Sequence, residues 1–255
     1  MRQFLIQLIA FGVIGLIVYG LSKLLRCRPS PSPNLDARRS SLRGLLAVAA
    51  SMSALFALML WFNLRHGPAH GSKQEFTTVS QLLTMLLLGL AVYVLPAAYG
   101  MFREREGLAS AGIGRLNLWQ ACVIGLVLAA LACCNRPADL AQKLSSLAGT
   151  HWIRSLIFFG MVGFGEEFLF RGYLQTRLVA WCGWWRGWVL TAVVFALIHL
   201  PQLVLIRGIN WGDATLAAIG LLPPALLLGF IMLRTQNIVA SGIFHTFINW
   251  ASDTL

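Results

Sequence analysis

Eight apolar runs leave this chain essentially one fold class. They lie at about 3–22, 42–64, 79–102, 118–134, 153–172, 187–206, 213–233 and 237–252, joined by short polar connections. A run of about twenty apolar residues crosses the hydrocarbon core as a helix, because lipid offers no partner to an unpaired backbone group. Charged residues are 11% of the chain and hydrophobic residues 58%, against roughly 25% charged in a soluble domain. The composition predicts an all-α polytopic membrane bundle of about eight transmembrane helices.

The formal charge of +11 does not point to nucleic acid. The basic residues form no amphipathic stripe; they sit between the apolar runs, where the positive-inside rule puts them. With the N-terminus outside, twelve Lys and Arg fall in inner connections, half of them between Lys23 and Arg43. Seven fall outside: Arg2, Arg65, Lys73, Arg136, Lys143, Arg154 and Arg207. Both termini are therefore expected outside, and the bilayer, expected to be a bacterial inner membrane, is the first partner. The first run looks like a signal-peptide core but lacks a small-residue cleavage site, and a basic, proline-broken linker (26–33) follows it. It reads as a retained span.

Cys27, Cys122, Cys133, Cys134 and Cys182 contain no C-x-x-C and mostly lie in or beside apolar runs. They read as small hydrophobic filler rather than a disulfide framework or zinc cluster. Pro223 and Pro224 must kink or break the seventh run. Trp181, Trp184, Trp185 and Trp188 read as an interfacial belt. The loop-like stretch 103–117 divides an accessory part, 1–110, from a functional part, 111–255.

Glu166, Glu167 and Arg171 stand inside the fifth run. Insertion scales charge roughly 2.5–3.5 kcal/mol for each such group at a helix centre, so the bundle interior must solvate or use them. Residues four apart share a helix face, while neighbours diverge by about 100°. Glu167 is thus predicted to pair with Arg171, leaving Glu166 pointing elsewhere. Phe195 and His199 are four apart on the sixth run, and His245 and Asn249 on the eighth. Three helices can present Glu166, His199, His245 and Asn249 to one interior volume.

Those residue types suit the activation of water. A carboxylate in an apolar interior can act as general base, imidazoles can orient the water or donate to the oxyanion and leaving amine, and an Asn amide is an oxyanion donor. Gly160, Gly163 and Gly165 permit close approach of a helix or an extended substrate. Each element also has a plainer reading. Glu166 can share Arg171 in a structural triad, a histidine in a span is often packing glue, Asn249 can be a cap, and Phe195 can be core. Their joint occurrence favours chemistry. H-E-x-x-H, a G-x-S-x-G elbow and a Walker loop are all absent.

At these residues the chain resembles the CAAX prenyl proteases and bacteriocin-processing enzymes, the CPBP family. Glu166-Glu167 followed by Arg171 matches its first motif, Phe195 with His199 its second, and His245 with Asn249 its third. The likeness covers roughly 111–255. It implies a glutamic-type intramembrane endopeptidase without cofactor or metal, acting on a membrane-associated or lipidated peptide. By motif position Glu166 would be the water-activating base, with His199, His245 and Asn249 completing the site and Glu167 and Arg171 supporting it. Two alternatives remain open: a zinc metalloprotease built on Glu166, His199 and His245, and a non-proteolytic transporter or scaffold.

Overall fold

The computed structural model describes residues 2–29, 36–66, 79–134 and 151–253. The part of the linker at 30–35, and Lys73, Arg136 and Lys143 of the charge count, lie outside the described residues. Each apolar run becomes helical, and no strand forms among the described residues. The first four runs are α1 (Arg2–Leu24), α2 (Ala37–His66), α3 (Val79–Glu104) and α4 (Leu118–Cys134), with a 3₁₀ turn at Leu108–Ala111 before the last. The fifth is a rod made of α5 (His151–Glu166), a π-helical stretch (Glu167–Gln175) and α6 (Thr176–Cys182). The sixth is α7 (Trp184–Leu197) with a π turn at Gln202–Ile206. The seventh is α8 (Trp211–Gly220) and α9 (Leu222–Thr235), and the eighth is α10 (Ile238–Asp253).

The expected eight spans divide by length and charge. Among the described residues five helices are long and apolar enough to cross a membrane: Phe4–Leu24, Ala37–Trp61, Val79–Glu104, Trp184–Ile206 and Trp211–Thr235. Leu118–Cys134 and Ile238–Ala251 are apolar but shorter, and the rod carries charge at its centre. The protein is an integral, all-α membrane bundle. The double proline breaks the seventh run as expected, in an inexpensive way. Pro223 and Pro224 occupy the first turn of α9, where no backbone donor is required, and Leu221 N–H still reaches Ala218 O at 3.0 Å. Of the tryptophans, Trp181, Trp184 and Trp185 are exposed. Trp188 instead donates its indole N–H to Leu226 O at 2.8 Å.

The rod is the hub. α10 packs on α4 and α5, α3 on α2 and α5, α2 on α6, and α9 on α1 and α7. The π-helical stretch meets α2, α3, α7, α9, α10 and the 3₁₀ turn, and all nine of its residues are buried. At Gly172 a Cβ would stand 2.5 Å from Ala111 O, so only glycine lets the 3₁₀ turn seat there.

Connections assigned by charge to one side meet at one end of the bundle. Asn117 Nδ2 donates to Arg28 O at 2.7 Å and Thr235 O at 2.9 Å, and Ile238 N–H donates to Gly112 O at 3.0 Å. Arg177 Nε donates to Glu104 Oε2 at 3.1 Å.

Candidate active site

Glu167 and Arg171 are wholly buried, with Arg171 Nη1 3.0 Å from Glu167 Oε1. The pair predicted from spacing is present. The backbone carrying it is π-helical rather than α-helical, a widening that the spacing argument did not foresee. The contact is an ion pair without an aligned hydrogen bond, since neither Nε nor Nη1 of Arg171 points at an acceptor. Nη2 reaches Ala225 O at 3.3 Å, and the guanidinium lies 4.3 Å from the centroid of the Phe195 ring. The aromatic face takes part of the role that water plays for an exposed arginine. Phe195, expected as packing or site support, touches Phe170 edge-on at 5.1 Å and supports the arginine.

His245 joins the two glutamates. Its Nδ1 is 3.0 Å from Glu167 Oε1 and its Nε2 is 3.8 Å from Glu166 Oε2. A carboxylate accepts, so Nδ1–H is the donor, and when the ring is neutral Nε2 presents its lone pair toward Glu166. Glu166 forms no ion pair with Arg171 among the described residues, as the spacing predicts. Its side chain keeps 13% exposure, while that of Glu167 has none. Two acceptors 3.8 Å apart can share one water held by legs of about 2.8 Å.

His199 and Asn249 stand less tightly. His199 Nδ1 donates to Phe195 O at 2.7 Å, one turn back, which leaves its Nε2 as acceptor. Its ring is 4.8 Å from that of Phe195, which lies 6.2 Å from that of His245. Phe195 is therefore the physical link between the two histidines. Asn249 lies one turn beyond His245 on α10, half-buried, and its amide makes no hydrogen bond among the described residues.

Glycines set these distances. A Cβ on Gly163 would stand 2.9 Å from Thr246 N, which brings α10 and His245 against α5. One on Gly165 would stand 2.9 Å from the Tyr93 ring. Gly160, expected to act likewise, has nothing within 4 Å.

Tyr93 is the residue that the sequence reading missed. From α3, it sends its hydroxyl to Glu166 Oε1 at 3.4 Å while itself buried. Its only signal in the sequence is a polar tip inside an apolar run. Among the described residues no three His, Cys, Asp or Glu side chains converge in a way that could hold a metal ion.

The helical membrane bundle thus holds two carboxylates, two histidines and an asparagine on three adjoining helical segments. Residues 148–251 match the family described as type II CAAX prenyl endopeptidase Rce1-like, which supports a CAAX protease assignment for that part of the chain. The match supports a peptidase of the CAAX type in general. No curated protein and no solved structure matches the chain.

Proposed function

We propose that the protein cleaves a peptide bond in a membrane-associated, lipidated protein of a bacterial inner membrane by a glutamic mechanism. The observation that carries this reading is the division of labour between adjacent glutamates. Glu167 is consumed by Arg171 and His245, and Glu166 is left open beside the Nε2 acceptor of His245.

Water held between Glu166 Oε2 and His245 Nε2 gives a proton to Glu166 as its oxygen bonds to the scissile carbonyl carbon. The carbonyl oxygen becomes an oxyanion, to which the unengaged Asn249 amide donates. Glu166 then passes the proton to the leaving nitrogen as the C–N bond breaks, giving an acid and an amine. Arg171 holds Glu167 ionised so that Glu167 keeps His245 in its Nδ1–H tautomer. His199, fixed by Phe195 O, faces the substrate side. No cofactor enters these steps, and 1–110 is assigned as an adapter around the 111–255 core.

The test is cleavage of a prenylated, membrane-tethered peptide in detergent. Glu166→Gln should lose about 10²–10⁴ in rate and remain folded, the range ascribed to general-base catalysis. Wild type should keep its activity in phenanthroline. Full activity of Glu166→Gln sinks the base assignment. Stoichiometric zinc that vanishes in His199→Ala or His245→Ala, with chelator-sensitive cleavage, establishes the metalloprotease alternative instead.

A further inference from the structure

Five cations, Lys23, Arg26, Arg28, Arg115 and Arg234, surround two adjoining cavities at the end of the bundle where the connections meet. The first encloses about 290 Å³ and is lined by Ser22, Lys23, Arg26, Arg28 and Arg234. The second, about 870 Å³, shares Arg26 and Arg28 and adds Arg115, Asn117 and the apolar Leu25 and Leu116. None of the five cations forms an ion pair with a carboxylate among the described residues. Glu104, at the same end of the bundle, is held by Arg43 and Arg177.

Positive charge on the inner side needs only the topology rule, and Lys23 and Arg234 also suit the C-terminal turns of their helices. Neither reason accounts for the scaffold that fixes these cations in place. Asn117 is 5% exposed, and its amide clamps both backbone groups of Arg28, accepting from Arg28 N at 2.9 Å and donating to Arg28 O at 2.7 Å. The same amide reaches Thr235 O at 2.9 Å, locking the 25–29 loop to the end of α9. Arg26 holds a left-handed backbone, φ 54°, at a position where glycine is the usual residue. Arg234 Nε donates to the buried Ser22 Oγ at 2.9 Å and its guanidinium lies 5.0 Å from the Tyr19 ring centroid, so its terminal nitrogens are aimed and unpaired. Three chain segments thus converge around two cationic cavities, the second of which also exposes Leu25 and Leu116 in its lining. Leu24 and Trp119, next in sequence to the lining residues Leu25 and Gln120, are 75% and 72% exposed.

The geometry points to a binding site for the phosphate of an anionic phospholipid, held by Arg26, Arg28, Arg115 and Arg234, with its glycerol and first methylenes against Leu25 and Leu116. Phosphate chemistry alone would also admit a free anion. Leu25 and Leu116 in the lining, with the exposed Leu24 and Trp119 beside the lining residues in sequence, select the lipid.

The full-length protein is reconstituted in bilayers of equal phosphatidylglycerol and phosphatidylcholine, extracted, and its retained lipid counted by native mass spectrometry. The pocket variant Arg26→Gln/Arg28→Gln/Arg115→Gln changes exposed side chains only and leaves the Asn117 clamp intact. The control Arg38→Gln/Arg39→Gln/Arg103→Gln removes the same charge outside the cavities. Wild type and control should retain phosphatidylglycerol over phosphatidylcholine, and the pocket variant should lose about fivefold of that preference per arginine. Equal loss in both variants, or no preference in wild type, overturns the proposal. Thermal midpoints with inorganic phosphate or phosphatidylglycerol separate the two sources. A full shift with phosphate alone, not exceeded by the lipid, overturns the lipid assignment.

Discussion

Arg171 and Arg177 lie on the same rod, both wholly buried, each beside a carboxylate and over an aromatic ring. Arg177 Nε donates to Glu104 Oε2 at 3.1 Å, Nη1 reaches Tyr173 O and Thr176 Oγ1 at 3.2 Å, and the guanidinium lies 3.9 Å from the Tyr173 ring centroid. Glu104 meets a second cation, Arg43 Nη1, at 3.6 Å. That cluster has two cations for one acid, and its acid comes from another helix. The Arg171 cluster has two acids for one arginine, with a histidine between the acids. A buried cluster rich in cation ties helices together. One rich in acceptors, with one carboxylate still reachable, is equipped to take a proton from water. Under the proposed function, the surplus separates a structural staple from a reaction centre.

The largest expected effects come from removing either arginine. Breaking a buried pair by deleting one partner costs about 3–5 kcal/mol, because the other charge is left without compensation. Arg171→Ala should lose that much stability and nearly all cleavage. Arg177→Ala should fall toward the lower end, since Arg43 remains near Glu104, and each folded molecule should cleave normally. Paired neutral variants sharpen the contrast. Glu104→Gln/Arg177→Gln should recover stability and activity, whereas Glu167→Gln/Arg171→Gln should recover stability alone. Thermal unfolding with turnover normalised to folded protein reads both. Loss of normalised turnover in Arg177→Ala removes the distinction.

Much of the site lay within reach of the sequence because its contacts are local. Glu167 with Arg171 and Phe195 with His199 are one turn apart, and helical spacing alone brings them together. The eight helical segments follow from apolar runs that lipid forces into helices. The π-helical widening was not legible, because Glu167, Arg171 and Gln175 recur every four residues, a spacing that an α-helix satisfies equally well. Glu104 and Tyr93 were missed for another reason. Their partners lie 73 residues away, and only the packing of α3 on the rod brings them together. Tyr93 also shows that residues before the 148–251 match reach into the site.

A smaller effect is expected where α10 meets α5. Gly163→Ala places a methyl 2.9 Å from Thr246 N and 3.2 Å from Thr246 Cα, backbone atoms that move only with the helix. His245 is the adjacent residue, so its Nε2 must shift relative to Glu166. A misplacement on the order of 1 Å can cost about a hundredfold in rate. Gly160→Ala, with open space around it, should behave as wild type. Equal activities in the two variants would show that the α5–α10 approach does not set the site.

The smallest expected effect tests whether the first part of the chain helps catalysis. Tyr93 O–H donates to Glu166 Oε1 at 3.4 Å, a long contact, and the Tyr93 ring packs on Gly165. Tyr93→Phe keeps the ring and deletes only the donor. A hydrogen bond of this kind contributes about 0.5–1.5 kcal/mol, more to a charged acceptor, so its loss should lower kcat about three- to tenfold. KM should stay put, because the hydroxyl touches the base rather than the substrate. Gly165→Ala should push the same ring aside, and in that background Tyr93→Phe should cost less than it does alone, since both changes act on one contact. Full additivity of the two, or a change confined to KM, would detach Tyr93 from Glu166 and return α3 to a purely structural role.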